Sequence, residues 1–160
     1  MRLAVAAVGR LKGGPEKDLV DDYAARIRAI GRGLGVSDFT ILEVESPKGL
    51  EGPAKLTRES ALLLGAAPLK ARRAALDERG AQISSEAFAR LIGGWRDQGA
   101  PDAVFMIGGA DGLDASVRES AEAVLAFGKA TWPHMLVRAM LCEQIYRAMT
   151  ILSGHPYHRA

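Results

Sequence analysis

The last residues of the chain concentrate side chains that can do chemistry. The stretch SGHPYHRA, residues 153–160, holds two of the three histidines of the protein, together with Tyr157 and Arg159. Histidine titrates near neutral pH, tyrosine offers a stacking face and arginine binds phosphate, so this set suits the binding of a nucleotide. Chain ends are usually frayed and without function. The concentration of chemistry favours a functional tail over a disordered one.

A second stretch of interest is a loop rich in glycine. In FMIGGADGLD, residues 105–114, an apolar run leads into Gly108, Gly109 and Gly112, and Asp114 is placed to cap the next helix. Ligands of parallel α/β sheets bind beside such turns because glycine lets a backbone approach closely. A tight turn that binds nothing explains the loop equally well.

Two other stretches also follow apolar runs. AALDERG, residues 74–80, ends in a polar loop, and AFGKATWPHMLVR, residues 126–138, is extended until Pro133 interrupts it. The carboxyl ends of parallel strands lie at the same edge of a sheet. These two stretches and the glycine loop could therefore converge on one ligand.

Several other kinds of site lack support. No G-x-G-x-x-G follows a strand, and FGKAT at residues 127–131 lacks the residues of a phosphate-binding loop. Cys142 and His134 stand too far from His155 and His158 for zinc-type spacing, so we expect no metal. No G-x-S-x-G is present, and the apolar neighbours of Cys142 indicate a structural thiol.

Length and composition are typical of one cytoplasmic globular domain. The chain has 160 residues, of which 48% are hydrophobic and 25% charged. No run approaches the length of a membrane span, and a lone cysteine cannot form an internal disulfide. The net charge of +2 permits contact with a polyanion but is too low to demand it, so charge alone decides little.

Apolar runs predict strands at residues 3–8, 39–44, 73–76 and 103–107. Between these runs the apolar residues have the spacing of helices, and this alternation predicts an α/β sandwich with a largely parallel sheet. A helix that starts near Pro15 should bury one stripe, formed by Leu19, Tyr23, Ile27 and Ile30. Another, capped at Ser84 or Ser85, should bury Phe88, Leu91, Ile92 and Trp95. Residues 53–64 predict a weaker helix, and residues 31–35 and 46–52 predict loops.

The last predicted helix, residues 134–152, is apolar around most of its circumference. Such a helix needs more than one packing partner, which either a homodimer contact or burial at the centre of a monomer would supply. Arg138 favours the dimer, because an unpaired charge inside a monomer would be costly.

Three motifs together resemble one known family. IGGADGL (residues 107–113), TWPHMLVR (131–138) and EQIYRAMTILSGHPYHR (143–159) are similar, in order and spacing, to the ribosomal RNA large subunit methyltransferase H family. The opening LAVAAVGRLK fits the start of that family, so the resemblance covers the whole chain. It implies one SPOUT-type α/β domain over residues 1–160, with a trefoil knot near the C-terminus, that acts as a homodimer. The implied reaction transfers a methyl group from S-adenosylmethionine to N3 of a pseudouridine in 23S rRNA, within the assembled 70S ribosome.

The resemblance also implies site residues. S-adenosylmethionine would contact Leu76, Gly108, Phe127, Gly128, Lys129, Ala130, Thr131 and Trp132. From the chemistry of the tail we expect Tyr157, His158 and Arg159 to be catalytic, held over the active site by a partner subunit, with the N3 proton taken by His158, Tyr157 or water. We expect that a side chain at position 108 would fill the space of the cofactor.

The chain departs from the family in two places. Ala110 and Asp111 replace a proline and a glutamate of the family's glycine loop, and residues 47–72 diverge. The resemblance therefore assigns no role to an acid at position 111 or to the middle helix. A non-catalytic ribosome-binding module and a small-molecule nucleotide enzyme are the competing functions. The His-Tyr-His tail and the missing nucleotide fingerprints favour the methyltransferase over both.

Overall fold

A five-stranded sheet forms the centre of the molecule in the computed structural model, which describes residues 1–157. The strands are β1 (Arg2–Val8), β2 (Asp38–Val44), β3 (Arg72–Ala81), β4 (Asp102–Ile107) and β5 (Ala123–Leu125). They lie in the order β2-β1-β4-β3-β5, and all four neighbouring pairs are parallel. The predicted α/β fold with a largely parallel sheet is confirmed.

Helices cover both faces of this sheet. They are α1 (Pro15–Gly31), α2 (Gly52–Ala66), α3 (Ser85–Asp97), α4 (Ala115–Ser120) and α5 (His134–Ser153). Alternate strand residues point to opposite faces. Residues such as Val5 and Phe105 pack with α1, α3 and α5, whereas Ala6 and Met106 pack with α2 and α4. The result is the expected sandwich of helices around a central sheet.

The predicted helix starts are confirmed by their caps. Pro15 begins α1, where a missing backbone N–H costs nothing. The Ser84 hydroxyl accepts a hydrogen bond from the Ala87 N–H before α3, and Asp114 caps α4 by accepting from the Ser116 N–H. Local hydrogen-bonding chemistry therefore sets these starts.

Other local predictions need correction. The predicted buried stripe of α1 was wrong at one position: Leu19 is 44% exposed, whereas Val20 and Ala24 are buried. Helix α1 packs on α5 as well as on β2, and this second contact rotates the buried face. Residues predicted as the loop 31–35 form the end of α1 and a short 3₁₀ turn, Arg32–Leu34. Strand β5 was not predicted, because three residues are too few to show a period.

Helix α5 packs extensively against other elements of the chain. It packs on α1 and α3 and touches β4, and both Ile145 and Met149 are fully buried. Burial within one chain therefore accounts for part of its apolar surface, whereas Leu136 and Met140 remain partly exposed. The argument from Arg138 was wrong, because this side chain is completely buried and paired with Glu43 at 2.6 Å. Over residues 1–157, no helix combines the length and the apolarity needed to span a bilayer.

Candidate functional site

A cavity of about 450 Å³ opens at the carboxyl ends of β4 and β5 and beside residues 76–79 of β3, where that strand leaves the regular ladder. Three chain segments form most of its wall: residues 76–79, residues 107–115, and residues 125–132 apart from Lys129. Leu56 of α2, Arg118 of α4, and His134 and Val137 of α5 complete it. The predicted convergence of three strand ends is confirmed, and the volume lies within the range of small-molecule sites, roughly 300–1,000 Å³.

The structure brings together most residues predicted to bind the cofactor. Seven of the eight line the cavity: Leu76, Gly108, Phe127, Gly128, Ala130, Thr131 and Trp132. The eighth, Lys129, is exposed and does not line it. Apolar side chains at the strand ends and the backbone of the glycine-containing loops share the wall, which is the usual make-up of a site for a flat, heterocyclic ligand.

The glycine loop is shaped by its own backbone. A Cβ atom at Gly108 would lie 2.0 Å from the carbonyl oxygen of Gly112, and the Gly112 N–H donates to the Gly109 carbonyl at 3.1 Å. Gly112 has a φ of +81°, a conformation that favours glycine. The loop itself thus requires glycine at position 108, because a side chain there would collide with the Gly112 carbonyl, and this reason adds to the expected one.

Strand β3 contains a break that the sequence did not reveal. Both Leu76 and Ala81 pair with Leu125, so the intervening residues leave the ladder, and residues 77–79 line the cavity. A Cβ at Gly80 would lie 2.5 Å from backbone atoms of Leu125. Glycine at this position thus allows β5 to return against β3 after the break.

Two contacts hold the three segments in place. The Arg118 guanidinium donates to Asp77 at 3.3 Å and also to the Leu113 carbonyl, and so joins the break in β3 to the glycine loop. The Trp132 indole N–H donates to the Phe127 carbonyl at 3.0 Å and closes the third segment. Sequence reasoning missed Asp77 and Arg118, which lie 41 positions apart and belong to no common motif.

His134, the first residue of α5, also lines the cavity and was missed as a site residue. Its position inside the third segment, directly after Pro133, was the available signal. Burial lowers the pKa of His134, the positive charge of Arg138 lowers it further, and the carboxylate of Glu59 opposes them. The imidazole is therefore neutral at pH 7 and can both donate and accept a hydrogen bond.

The described part of the tail lies against α5. The Tyr157 hydroxyl donates to Glu143 at 3.2 Å, its ring meets Tyr146 edge-on at 4.8 Å, and the Arg147 guanidinium carbon lies 5.0 Å from its ring centre. Tyr157 does not line the cavity. Glu143 follows His134 by nine residues, which is about 14 Å along a helix. The predicted catalytic residues His158 and Arg159 lie outside the described residues.

The environment of Tyr157 keeps its hydroxyl protonated. Burial raises its pKa to about 12, and interactions with Tyr23 and Glu143 add to the effect. At neutral pH this residue is a hydrogen-bond donor and a stacking surface, and it is not a base.

Cys142 is fully buried, and burial raises the pKa of its thiol to about 12. A thiol in this state packs as a small apolar group and is a poor nucleophile. Among residues 1–157, no three side chains of His, Cys, Asp or Glu are grouped so that they could hold a metal ion.

Comparison with known proteins gives consistent matches over the full length. The family described as "Predicted SPOUT methyltransferase" matches residues 1–158. A protein of Nitrobacter winogradskyi, named ribosomal RNA large subunit methyltransferase H, is 53% identical over 99% of both chains. Proteins of the same name from Bradyrhizobium diazoefficiens and Paracoccus denitrificans are 50% and 52% identical, over 100% and 99% of both chains respectively.

Solved structures share the fold at low sequence identity. A probable methylase family protein of Haemophilus influenzae Rd KW20 superposes with a TM-score of 0.52 at 10% identity, over 99% of this chain and 70% of that one. A probable methyltransferase of Bordetella pertussis Tohama I gives 0.52 at 13% identity, over 92% and 95%.

Proposed function

Because the chain belongs to the SPOUT methyltransferase family, we propose that it transfers a methyl group from S-adenosylmethionine to N3 of a pseudouridine in 23S rRNA of the assembled 70S ribosome. Full-length relatives at about 50% identity, named as methyltransferases of large-subunit ribosomal RNA, support this substrate. The observation that carries the proposal is the convergence of three strand-end segments on one cavity.

The cavity suits the methyl donor. Leu76, Ile107 and Leu125 offer apolar contact for a purine ring, and the backbone of residues 126–131 can satisfy its polar edge. Nothing lies within 4 Å of a Cβ built on Gly128, so a ligand can approach this backbone closely. When bound, S-adenosylmethionine supplies a methyl group that is already activated by its sulfonium. The protein must position the acceptor nitrogen and help to remove its proton.

The proposed catalytic residues act from the tail of a second subunit. Support comes from Tyr157, which lies against Glu143 and away from the cavity of its own chain. In the proposed homodimer, the tail of each chain completes the site of the other. Tyr157 stacks or donates a hydrogen bond, His158 accepts the N3 proton, and Arg159 binds a phosphate.

Further features of the proposal follow from the family resemblance. The whole chain forms one SPOUT domain, and the segments around the cavity thread into a trefoil knot. The enzyme works in the cytoplasm, where ribosomes are its partner, and needs no metal.

The reaction can be tested directly with ribosomes that lack the modification. Incubation with tritiated S-adenosylmethionine should incorporate about one methyl group per ribosome, and mass spectrometry of 23S rRNA fragments should place it on a pseudouridine. Absence of incorporation, with a protein shown to be folded by circular dichroism, would refute the proposed function.

The dimer is tested separately by sedimentation velocity at micromolar concentration. The expected species has twice the mass of the chain. A monomer under these conditions would remove the partner subunit from the proposal, and the tail would then have to reach its own cavity.

A further inference from the structure

Helix α2 contacts the glycine loop through several polar side chains. The Lys55 ammonium pairs with Asp111 at 3.0 Å, and the Ser60 hydroxyl accepts a hydrogen bond from the Asp114 N–H at 3.2 Å. Both partners belong to the loop segment that lines the cavity. The loop is therefore bonded to α2 at two points, three residues apart.

Glu59 lies on α2 between Lys55 and Ser60, and it is only 2% exposed. Its Oε1 atom accepts a hydrogen bond from the Ser46 hydroxyl and lies 4.0 Å from the Lys55 ammonium. Its Oε2 atom is buried and has no hydrogen-bond partner among the described residues. A Cβ built on Gly109 would lie 3.1 Å from Oε2, so the carboxylate rests against the loop backbone at that residue.

This arrangement is costly for folding alone. A buried carboxylate oxygen without a donor forfeits the hydrogen bonds that water would give it. A glutamine of the same shape could accept from Ser46 with one atom and would carry no buried charge. The unpaired oxygen therefore points to a role in the site next to it.

Glu59 reaches this site through the loop and not directly. Gly109 lines the cavity, whereas Glu59 does not, so the carboxylate contacts the loop from behind the cavity wall. Any movement of the Glu59 carboxylate would therefore change its contact with the loop backbone at Gly109. The contacts at Asp111 and Asp114 limit how far the loop can shift in response.

We propose that Glu59 is a positioning residue for binding of the methyl donor, and that with Lys55 and Ser60 it holds the glycine loop in its binding conformation. This inference rests on the proposed function. It gives a role to the acid at position 111, which the family resemblance left unassigned, and to the divergent helix α2. In this proposal the backbone of the glycine loop binds the methyl donor, and α2 determines the position of that backbone.

The test uses full-length protein and isothermal titration with S-adenosylmethionine. In E59Q we expect affinity to fall about tenfold, the lower end of the losses that follow removal of an outer-shell contact at metal sites. The midpoint of thermal unfolding should change little, because removal of a buried charge offsets the loss of its 4.0 Å ion pair with Lys55. A merely structural role would lower the unfolding midpoint and leave the affinity unchanged.

A second arm addresses the ion pair. Lys55→Ala and Asp111→Ala should each weaken binding by about threefold to fivefold, the range of a partly exposed pair, and the double variant should be no weaker than either single one. The conservative variant Asp111→Glu, which keeps the negative charge opposite Lys55, should retain most of the affinity. The matched control is Lys17→Ala, which breaks the surface pair with Asp21 on α1 and should leave binding unchanged.

Steady-state methylation of ribosomes supplies a further readout. In E59Q the KM for S-adenosylmethionine should rise while kcat at saturating donor stays near the wild-type value, since the loop is displaced but the chemistry is not. Failure of the proposed function would appear as a wild-type protein that does not bind the donor. The inference is overturned if wild type binds and both E59Q and Lys55→Ala bind equally well; if E59Q does not fold, the Lys55 and Asp111 variants decide.

Discussion

Arg138 Nη1 lies 2.6 Å from Glu43 Oε1, and this pair joins the first turns of α5 to the end of β2. Arg138 also donates to the carbonyl oxygens of Val8 and Gly9, so the chain turn after β1 is bonded to the same guanidinium. Burial lowers the pKa of Arg138, and Glu43 opposes this effect. The helix that follows the cavity segments is thereby fixed relative to the sheet.

The two partners of this pair should respond unequally to mutation. Glu43→Ala leaves a charge in a fully buried position and should lower the free energy of unfolding by about 3 kcal/mol, whereas Arg138→Met, which removes that charge, should cost less. Urea denaturation followed by circular dichroism measures both. An equal or larger loss in Arg138→Met would show that the guanidinium acts chiefly through its carbonyl contacts.

Filling the cavity should weaken donor binding without disturbing the fold. Ala130 lines the cavity and is exposed, so Ala130→Phe adds bulk where nothing must repack. We expect affinity for S-adenosylmethionine to fall at least about tenfold, a change of 1.4 kcal/mol. Ala29→Phe, at an exposed position of α1, is the control. Wild-type affinity in Ala130→Phe would place the donor elsewhere.

Gly108→Ala should damage the loop itself. The added Cβ would overlap the Gly112 carbonyl, and overpacking of this kind costs about 1–3 kcal/mol or more. Donor binding should be lost together with part of the stability, as thermal unfolding and titration will show. Gly13→Ala meets no atom within 4 Å and should change neither quantity. A stable Gly108→Ala protein would mean that the loop can relax.

Deletion of residues 157–160 tests the tail. Donor binding and dimerisation should be nearly unchanged, because Tyr157 does not line the cavity of its chain, while methyl transfer to ribosomes should fall by orders of magnitude. A mixed dimer, with one truncated chain and one chain carrying Ala130→Phe, should retain one working site if the tail acts across the interface. Wild-type turnover by the truncated enzyme would exclude the tail from catalysis.

His134 should make stability depend on pH. Its pKa in the folded state lies below the ordinary value of 6.5, so the unfolded chain binds the proton more tightly. Stability must then fall as the pH drops below about 6.5 and level off once the folded-state pKa is passed. The difference in unfolding free energy between wild type and His134→Gln isolates this contribution. If the wild-type protein instead gains stability relative to His134→Gln as the pH falls through this range, the direction of the His134 pKa shift is contradicted.

The sequence by itself determined the fold class and the place of the site. Apolar runs separated by helical spacing are local signals, and they located four of the five strands and the starts of α1 and α3. Strand ends in a parallel sheet share one edge, so the topology allowed three stretches to converge on one ligand, and the family resemblance then assigned Gly108 and the segment around Phe127 to it. The motifs also identified the family, and full-length relatives confirm it.

Only the tertiary structure decided how the site is supported. The contacts of Glu59 with Ser46 and Gly109, the pairing of Lys55 with Asp111, and the burial of Arg138 against Glu43 join residues from 13 to 95 positions apart. Their energies depend on desolvation and on distances of a few ångströms, and neither is encoded in the type or spacing of residues along the chain. The same limit applies to Gly80 and Gly108, which sequence marks as flexible and which the fold requires because another backbone passes within the space of a Cβ atom.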